Sequence, residues 1–160
     1  MSIVIKPMET EDEIRGKAFV HWKCWQETYP GMVDQAYLDA LTLEKVQEKA
    51  FLWRDNILVA KDGDRVLGFV GYGDHGVEDP GTGEIFALYV LPEYQGTGVG
   101  RQLMEAALLE LSSCPRIYLW VVKGNAWAIR FYEKCGFHLS GAEKYVPSIQ
   151  AGGIQMVRER

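Results

Sequence analysis

The chain predicts a mixed α/β fold, in which one mixed, mostly antiparallel sheet carries helices on its faces. Three observations lead there. Apolar residues recur at helical spacing in the front third, at Ile14, Ala18, Trp22 and Trp25. From Asn56 onward the period changes to short β-prone runs separated by turn residues. One of these runs, Ile85–Leu91, passes through a glycine-rich turn, Gln95–Arg101, straight into a helical pattern at Val99, Leu103, Ala107 and Leu111.

Each element can be justified in order. Ser2–Lys6 is β-prone and is ended by Pro7. Thr10 with Glu13 three residues later has capping-box spacing and opens the first helix, which runs to Tyr29-Pro30-Gly31. Asp34 starts a second helical piece containing Leu38, and Leu43–Arg54 forms a third, which carries Val46, Ala50 and Trp53. Asn56–Lys61 and Arg65–Gly73 flank Asp62-Gly63-Asp64 as a hairpin. His75–Gly83 reads as a loop, and the strand Glu84–Leu91 and its helix follow. Arg116–Val122 is so continuously apolar that cover on both faces is expected. Asn125–Cys135 is helical with Gly136 as its C-cap, and Phe137–Tyr145 with Gly153–Arg158 closes the sheet. The order is β–α–α–α–β–β–β–α–β–α–β–β.

Composition excludes several classes. A length of 160 residues suits one domain, spanning 1–160, and 48% hydrophobic with 24% charged residues is ordinary for a globular protein. No apolar run reaches the roughly 18–20 residues that span a bilayer, and the N-terminus lacks the pattern of a cleaved leader. Cys24, Cys114 and Cys135 are far apart, with no metal-ligand spacing, so reduced thiols in a cytoplasmic protein and no metal are expected. The net charge of −5 speaks against a nucleic-acid partner.

A strand entering a helix through a glycine turn is a phosphate-holding device: backbone N–H groups converge, the helix dipole adds positive charge, and glycine permits close approach. Arg101-Gln102 follows the last glycine, where a P-loop needs Lys-Ser/Thr, and GxGxxG fails in both registers. What remains is Gln95-x-x-Gly98-x-Gly100 after a strand ending Leu88-Tyr89-Val90-x-Pro92. This resembles the acetyl-CoA-binding motif of the GNAT N-acetyltransferase superfamily. Asn125-x-x-Ala128-x-x-Phe131-Tyr132-x-Lys134-x-Gly136-Phe137 is similar to the other signature of that family at every fixed position. Trp25–Leu41 is more loosely similar to the first-helix region of members that acetylate small amines, including polyamines.

The resemblance implies a sheet splayed between its fourth and fifth strands, with acetyl-CoA as co-substrate entering the gap. It implies that the amides of Gly96, Thr97, Gly98, Val99 and Gly100 take the pyrophosphate, with charge from Arg101 and a hydrogen bond from Gln95, which is otherwise a plain turn residue. A strand distortion would free the Val90 N–H for the thioester oxygen, with Leu88 and Tyr89 forming the pantetheine edge. Tyr132 would protonate the leaving thiolate; packing its ring in the core is the other reading. Asn125 and Ala128 would meet the pantetheine arm, although Asn125 serves equally as an N-cap.

Glu84, placed by strand alternation on the face of Phe86 and Leu88, is the candidate base, or an attractor of a cationic amine. Trp25, Tyr29, Tyr72 and Phe86 are candidate walls of the acceptor site. His21, His75 and His138 are assigned no role. No cysteine is expected where an acyl-enzyme would need one, so the implied reaction is direct acetyl transfer to a small primary amine. A non-catalytic acyl-CoA-binding module and a longer-chain acyl donor are the alternatives, and a homodimer through the closing strands is a further expectation.

Overall fold

A computed structural model describes residues 2–160. The elements are β1 (Val4–Pro7), α1 (Glu11–Thr28), α2 (Gln35–Ala40), α3 (Leu43–Leu52), β2 (Ile57–Asp62), β3 (Arg65–Asp74), β4 (Thr82–Val90), α4 (Val99–Glu110), β5 (Arg116–Val122), α5 (Ala126–Lys134), β6 (His138–Val146) and β7 (Ala151–Glu159). They build one seven-stranded sheet in the order β1-β2-β3-β4-β5-β7-β6. The β4–β5 pair is parallel and the others are antiparallel.

The capping box forms as the sequence predicts: Thr10 Oγ1 accepts from the Glu13 N–H, and Glu13 returns a bond to the Thr10 N–H. Ile14, Ala18 and Cys24 of α1 meet Val46 and Ala50 of α3 over Val59, Val66 and Phe69. On the other face α4 buries Val99, Leu103, Ala107 and Leu111 against Ile85, Ile117, Leu119 and Val121, and α5 leans on the same cluster through Ala128, Ile129 and Tyr132. A third cluster ties Tyr29, Val33 and Leu38 to Ile149 and Ala151, so the α1–α2 connection rests on the turn between β6 and β7.

Three expectations are corrected. Trp53 lies beyond α3 and is 74% exposed, because the helix ends at Leu52 and its buried stripe ends with Ala50. β5 is fully covered on one face only: Ile117, Leu119 and Val121 are buried, while Tyr118 and Trp120 are partly open. Thr82 and Gly83 belong to β4, since they pair with Arg116 and Ile117.

The feature that matters most is where β4 and β5 part. Their pairing runs from Thr82↔Arg116 to Ile85↔Leu119 and then stops, although β4 continues to Val90 and β5 to Val122. β5 turns instead to β7, with which it pairs along its whole length. The splay implied by the family resemblance is therefore present.

Candidate active site

The parting strands open a cleft of about 560 Å³ between residues 85–90 of β4 and Leu119–Val122 of β5, closed by the glycine turn, α5 and the end of α1. Its inner edge is made of main chain. Leu91 N–H donates to Leu67 O at 2.9 Å, which sets the phase of the β3–β4 ladder. Antiparallel alternation then directs the N–H groups of Val90 and Leu88, paired with Gly68 and Val70, away from β3 and toward the cleft.

A distortion in β4 does exist, but not at Val90. Gly71 pairs with Ala87 whereas Tyr72 pairs with Ile85, leaving Phe86 as the extra residue of a bulge. The Val90 N–H is turned into the cleft by regular pairing with β3 and by the departure of β5. The bulge also changes the faces: Leu88 packs with Ile85 on the α4 side, while Ala87 and Tyr89 pack toward α1. Glu84 is thus not on the face of Leu88, as simple alternation predicts.

At the outer end, Gly96 and Gly98 adopt φ of +78° and +95°, which a side chain resists, and Gly98 is the N-cap of α4. Gln102 is the first residue whose N–H closes a helical bond, to Gly98 O at 3.0 Å. The N–H groups of Val99, Gly100 and Arg101 precede it, at the positive end of the helix dipole. Gly100 packs closely, since a Cβ there would lie 3.2 Å from Phe131 Cζ and Phe131 would have to shift. Gln95 Nε2 donates to Val90 O at 3.2 Å and fastens the turn to the strand. Arg101, Arg130 and Lys134 supply three cations to the cleft lining. The last two were not assigned a role from sequence, although their spacing on α5, one turn apart, puts them on one face.

Tyr132 lines the same cleft as Val90, and its phenol is held protonated well above the ordinary value by burial and then by Tyr29 and Cys135. Tyr29 Oη lies 3.3 Å from Tyr89 Oη, which accepts from Trp25 Nε1 at 3.0 Å. Asn125 caps α5 by accepting from the Ala128 N–H at 3.2 Å, and both residues line the cleft. Cys24, for which no place at the site was expected, lines it too. Its thiol donates to Val90 O at 3.2 Å and is pushed up to about 12 by burial, then by Glu27 and Glu93, so it is a poor nucleophile.

The structure brings together Leu88, Tyr89, Val90, Gln95, Gly96, Gly98, Gly100, Arg101, Asn125, Ala128, Tyr132, Tyr29 and Phe86. Val99 is buried in the core, and the exposed Thr97 turns its hydroxyl back to Tyr94 O. Trp25 stands behind Tyr29, edge-on at 4.6 Å between ring centroids. Tyr72 is on the α4 side, where burial and then Glu110 raise its phenol, so it is no wall of this cleft. Glu84 lies just below the parting point, bonded at 3.1 Å to His75 Nε2. His75 had been given no role, and a loop histidine next to no motif offers no sequence signal.

A parallel pair split over a glycine turn, with that turn on a helix N-terminus, defines an N-acyltransferase type of fold. The model of the Acetyltransferase (GNAT) family matches residues 19–137, and the chain belongs to that family; it is an acetyl-CoA-dependent N-acetyltransferase. It is similar to the N-acetyltransferase YuaI of Bacillus subtilis, 30% identical over 82% of this chain and 78% of that one. It is also similar to the spermine/spermidine N(1)-acetyltransferase of the same species, 37% identical over 48% of this chain and 55% of the relative. The PaiA N-acetyltransferase of Thermoplasma acidophilum, solved in complex with coenzyme A, shares the fold with a TM-score of 0.78 at 21% identity, each chain covered completely.

Proposed function

We propose that this protein, acting as one cytoplasmic domain, moves the acetyl group of acetyl-CoA to the primary amine of a small molecule by direct attack, with both substrates held together. The observation that carries the reading is the inward-facing main-chain edge of Val90 and Leu88 in a cleft that Tyr132 also lines. The residues fit the nucleotide: the amides of residues 96–101 with Arg101, Arg130 and Lys134 suit its phosphates, and the split edge suits an amide-bearing arm. The solved PaiA relative was captured with coenzyme A, and one relative is named for polyamine acetylation; both support the choice of substrates.

In this reading the Val90 N–H donates to the thioester oxygen as it gains charge. The new N–C bond forms as the C–S bond breaks, and Tyr132 gives its proton to the departing sulfur. Glu84 accepts the amine proton, directly or through water. Cys24 takes no acyl group, because its thiol stays protonated and committed to Val90 O.

The test is thiol release from acetyl-CoA with polyamines, amino acids, aminoglycosides and short peptides, alongside calorimetric binding of acetyl-CoA. Binding with turnover of one small-amine class is expected. Turnover of peptides alone would overturn the acceptor class, and absence of binding would overturn the site.

A further inference from the structure

Three side chains meet on the face of the sheet opposite α4, just below the point where β4 and β5 separate. His75 Nε2 lies 3.1 Å from Glu84 Oε1 and 3.0 Å from Tyr118 Oη. The His75 ring stacks on Tyr118 with centroids 5.6 Å apart and planes 9° apart, and it meets Phe86 edge-on at 6.5 Å. Phe86 lines the cleft, so the cluster adjoins the cleft directly. Two adjacent strands and the loop after β3 build it: Glu84 faces Tyr118 in the β4–β5 register, and His75 is the first residue past β3. Its backbone is anchored there by its own N–H to Thr82 O at 3.0 Å.

The chemistry sets the direction of these bonds. A carboxylate only accepts, so the short His75–Glu84 contact requires the proton on Nε2. The Tyr118 phenol, pushed up to about 12 by burial and then by Glu84, keeps its O–H; Asp79 raises it further and Arg116 opposes. Asp74 is turned away, accepting from the Gly76 N–H at 2.7 Å. His75 Nε2–H is therefore the donor that holds the carboxylate, and Tyr118 Oη, 3.0 Å from the same nitrogen, meets that N–H as an acceptor. The Glu84 side chain is 15% exposed beside a histidine at 28%.

We infer that His75 is a positioning residue for the acceptor step: its Nε2–H, on a ring fixed by stacking on Tyr118, holds Glu84 in the one orientation from which it takes the proton of the incoming ammonium. The inference rests on the acetyl-transfer reading above. The N–H bond of the ammonium breaks, its electron pair becomes the nucleophile, and the proton passes to a Glu84 oxygen. His75 gives up no proton in this step. A hydrogen bond to a charged group contributes about 1.5–3 kcal/mol, so its loss corresponds to roughly 10–100-fold.

Two measurements on the full chain test it. The first is imidazole ¹⁵N NMR of wild type and Glu84→Gln. A dominant Nε2–H tautomer in wild type, relaxing toward a mixture in the variant, is expected; a mixture in wild type would overturn the inference whether or not any amine is turned over. The second is the kinetics of His75→Ala and His75→Gln. His75→Ala should lose roughly 10–100-fold in kcat/KM for the amine at unchanged acetyl-CoA affinity, and His75→Gln, which keeps an N–H donor, should recover most of it. Wild-type kcat/KM in a folded His75→Ala, or equal losses in both variants, would overturn the positioning role. A wild-type enzyme without amine turnover would instead count against the proposed function, and the tautomer would still decide the role of His75.

Discussion

The two ends of the cleft are built on different principles. The proposed nucleotide end is made of two short, continuous stretches, residues 88–101 and 125–134, and it offers mainly main-chain groups. The proposed acceptor end rests on single side chains from a loop and two strands, His75, Glu84, Phe86 and Tyr118, of which Phe86 lines the cleft and the others adjoin it. Main-chain recognition needs glycine at positive φ and a helix start, and both are local. Side-chain constellations need the sheet.

The largest expected effect strikes the nucleotide end. Gly98→Val should abolish acetyl-CoA binding in calorimetry, because a β-branched residue cannot hold φ of +95° at the N-cap of α4. Gly63→Val, at φ of +60° in the β2–β3 turn, should carry similar strain and leave affinity intact. Equal binding losses in both would erase the contrast.

Tyr132→Phe should come next, lowering kcat by a factor on the order of 10²–10⁴ with acetyl-CoA affinity retained. Because the Tyr132 phenol titrates well above 10, its protonated form persists as pH rises, and it should impose no alkaline fall in rate below about pH 10. Unchanged turnover in the variant would remove Tyr132 from the mechanism.

Glu84→Gln should be milder in binding and specific to the acceptor, lowering kcat/KM for the amine by on the order of 10²-fold. A comparable rise in the KM for acetyl-CoA would merge the two ends.

The smallest effect concerns stability alone. Burial opposes the charge of Glu13, yet bonds from Lys6 Nζ, the N–H groups of Glu9 and Thr10, and Lys61 Nζ hold its carboxyl far below its ordinary 4.5. A depressed value stabilises the fold in full above 4.5, and that stabilisation is lost progressively as pH falls from there through the lower folded value. Glu13→Gln should therefore cost about 2 kcal/mol in denaturant unfolding at pH 7, and less near pH 3, with kcat unchanged. A loss that does not shrink in acid would mean that the charge is not what Glu13 contributes.

The sequence by itself determined whatever depends on near neighbours. The Thr10–Glu13 cap, the stripe Val99, Leu103, Ala107 and Leu111, the Gly96–Gly100 turn and the Asn125 cap all follow from spacings of a few residues, and each stands where it was expected. Tertiary structure alone decided what depends on pairing between distant strands. The bulge at Phe86 moved Leu88 to the face of Ile85, because a single extra residue reverses every face beyond it. Tyr72 went to the α4 side, and Glu84 went to His75 and Tyr118. A period of two carries no record of where a ladder slips, since the slip is set by contacts across the sheet.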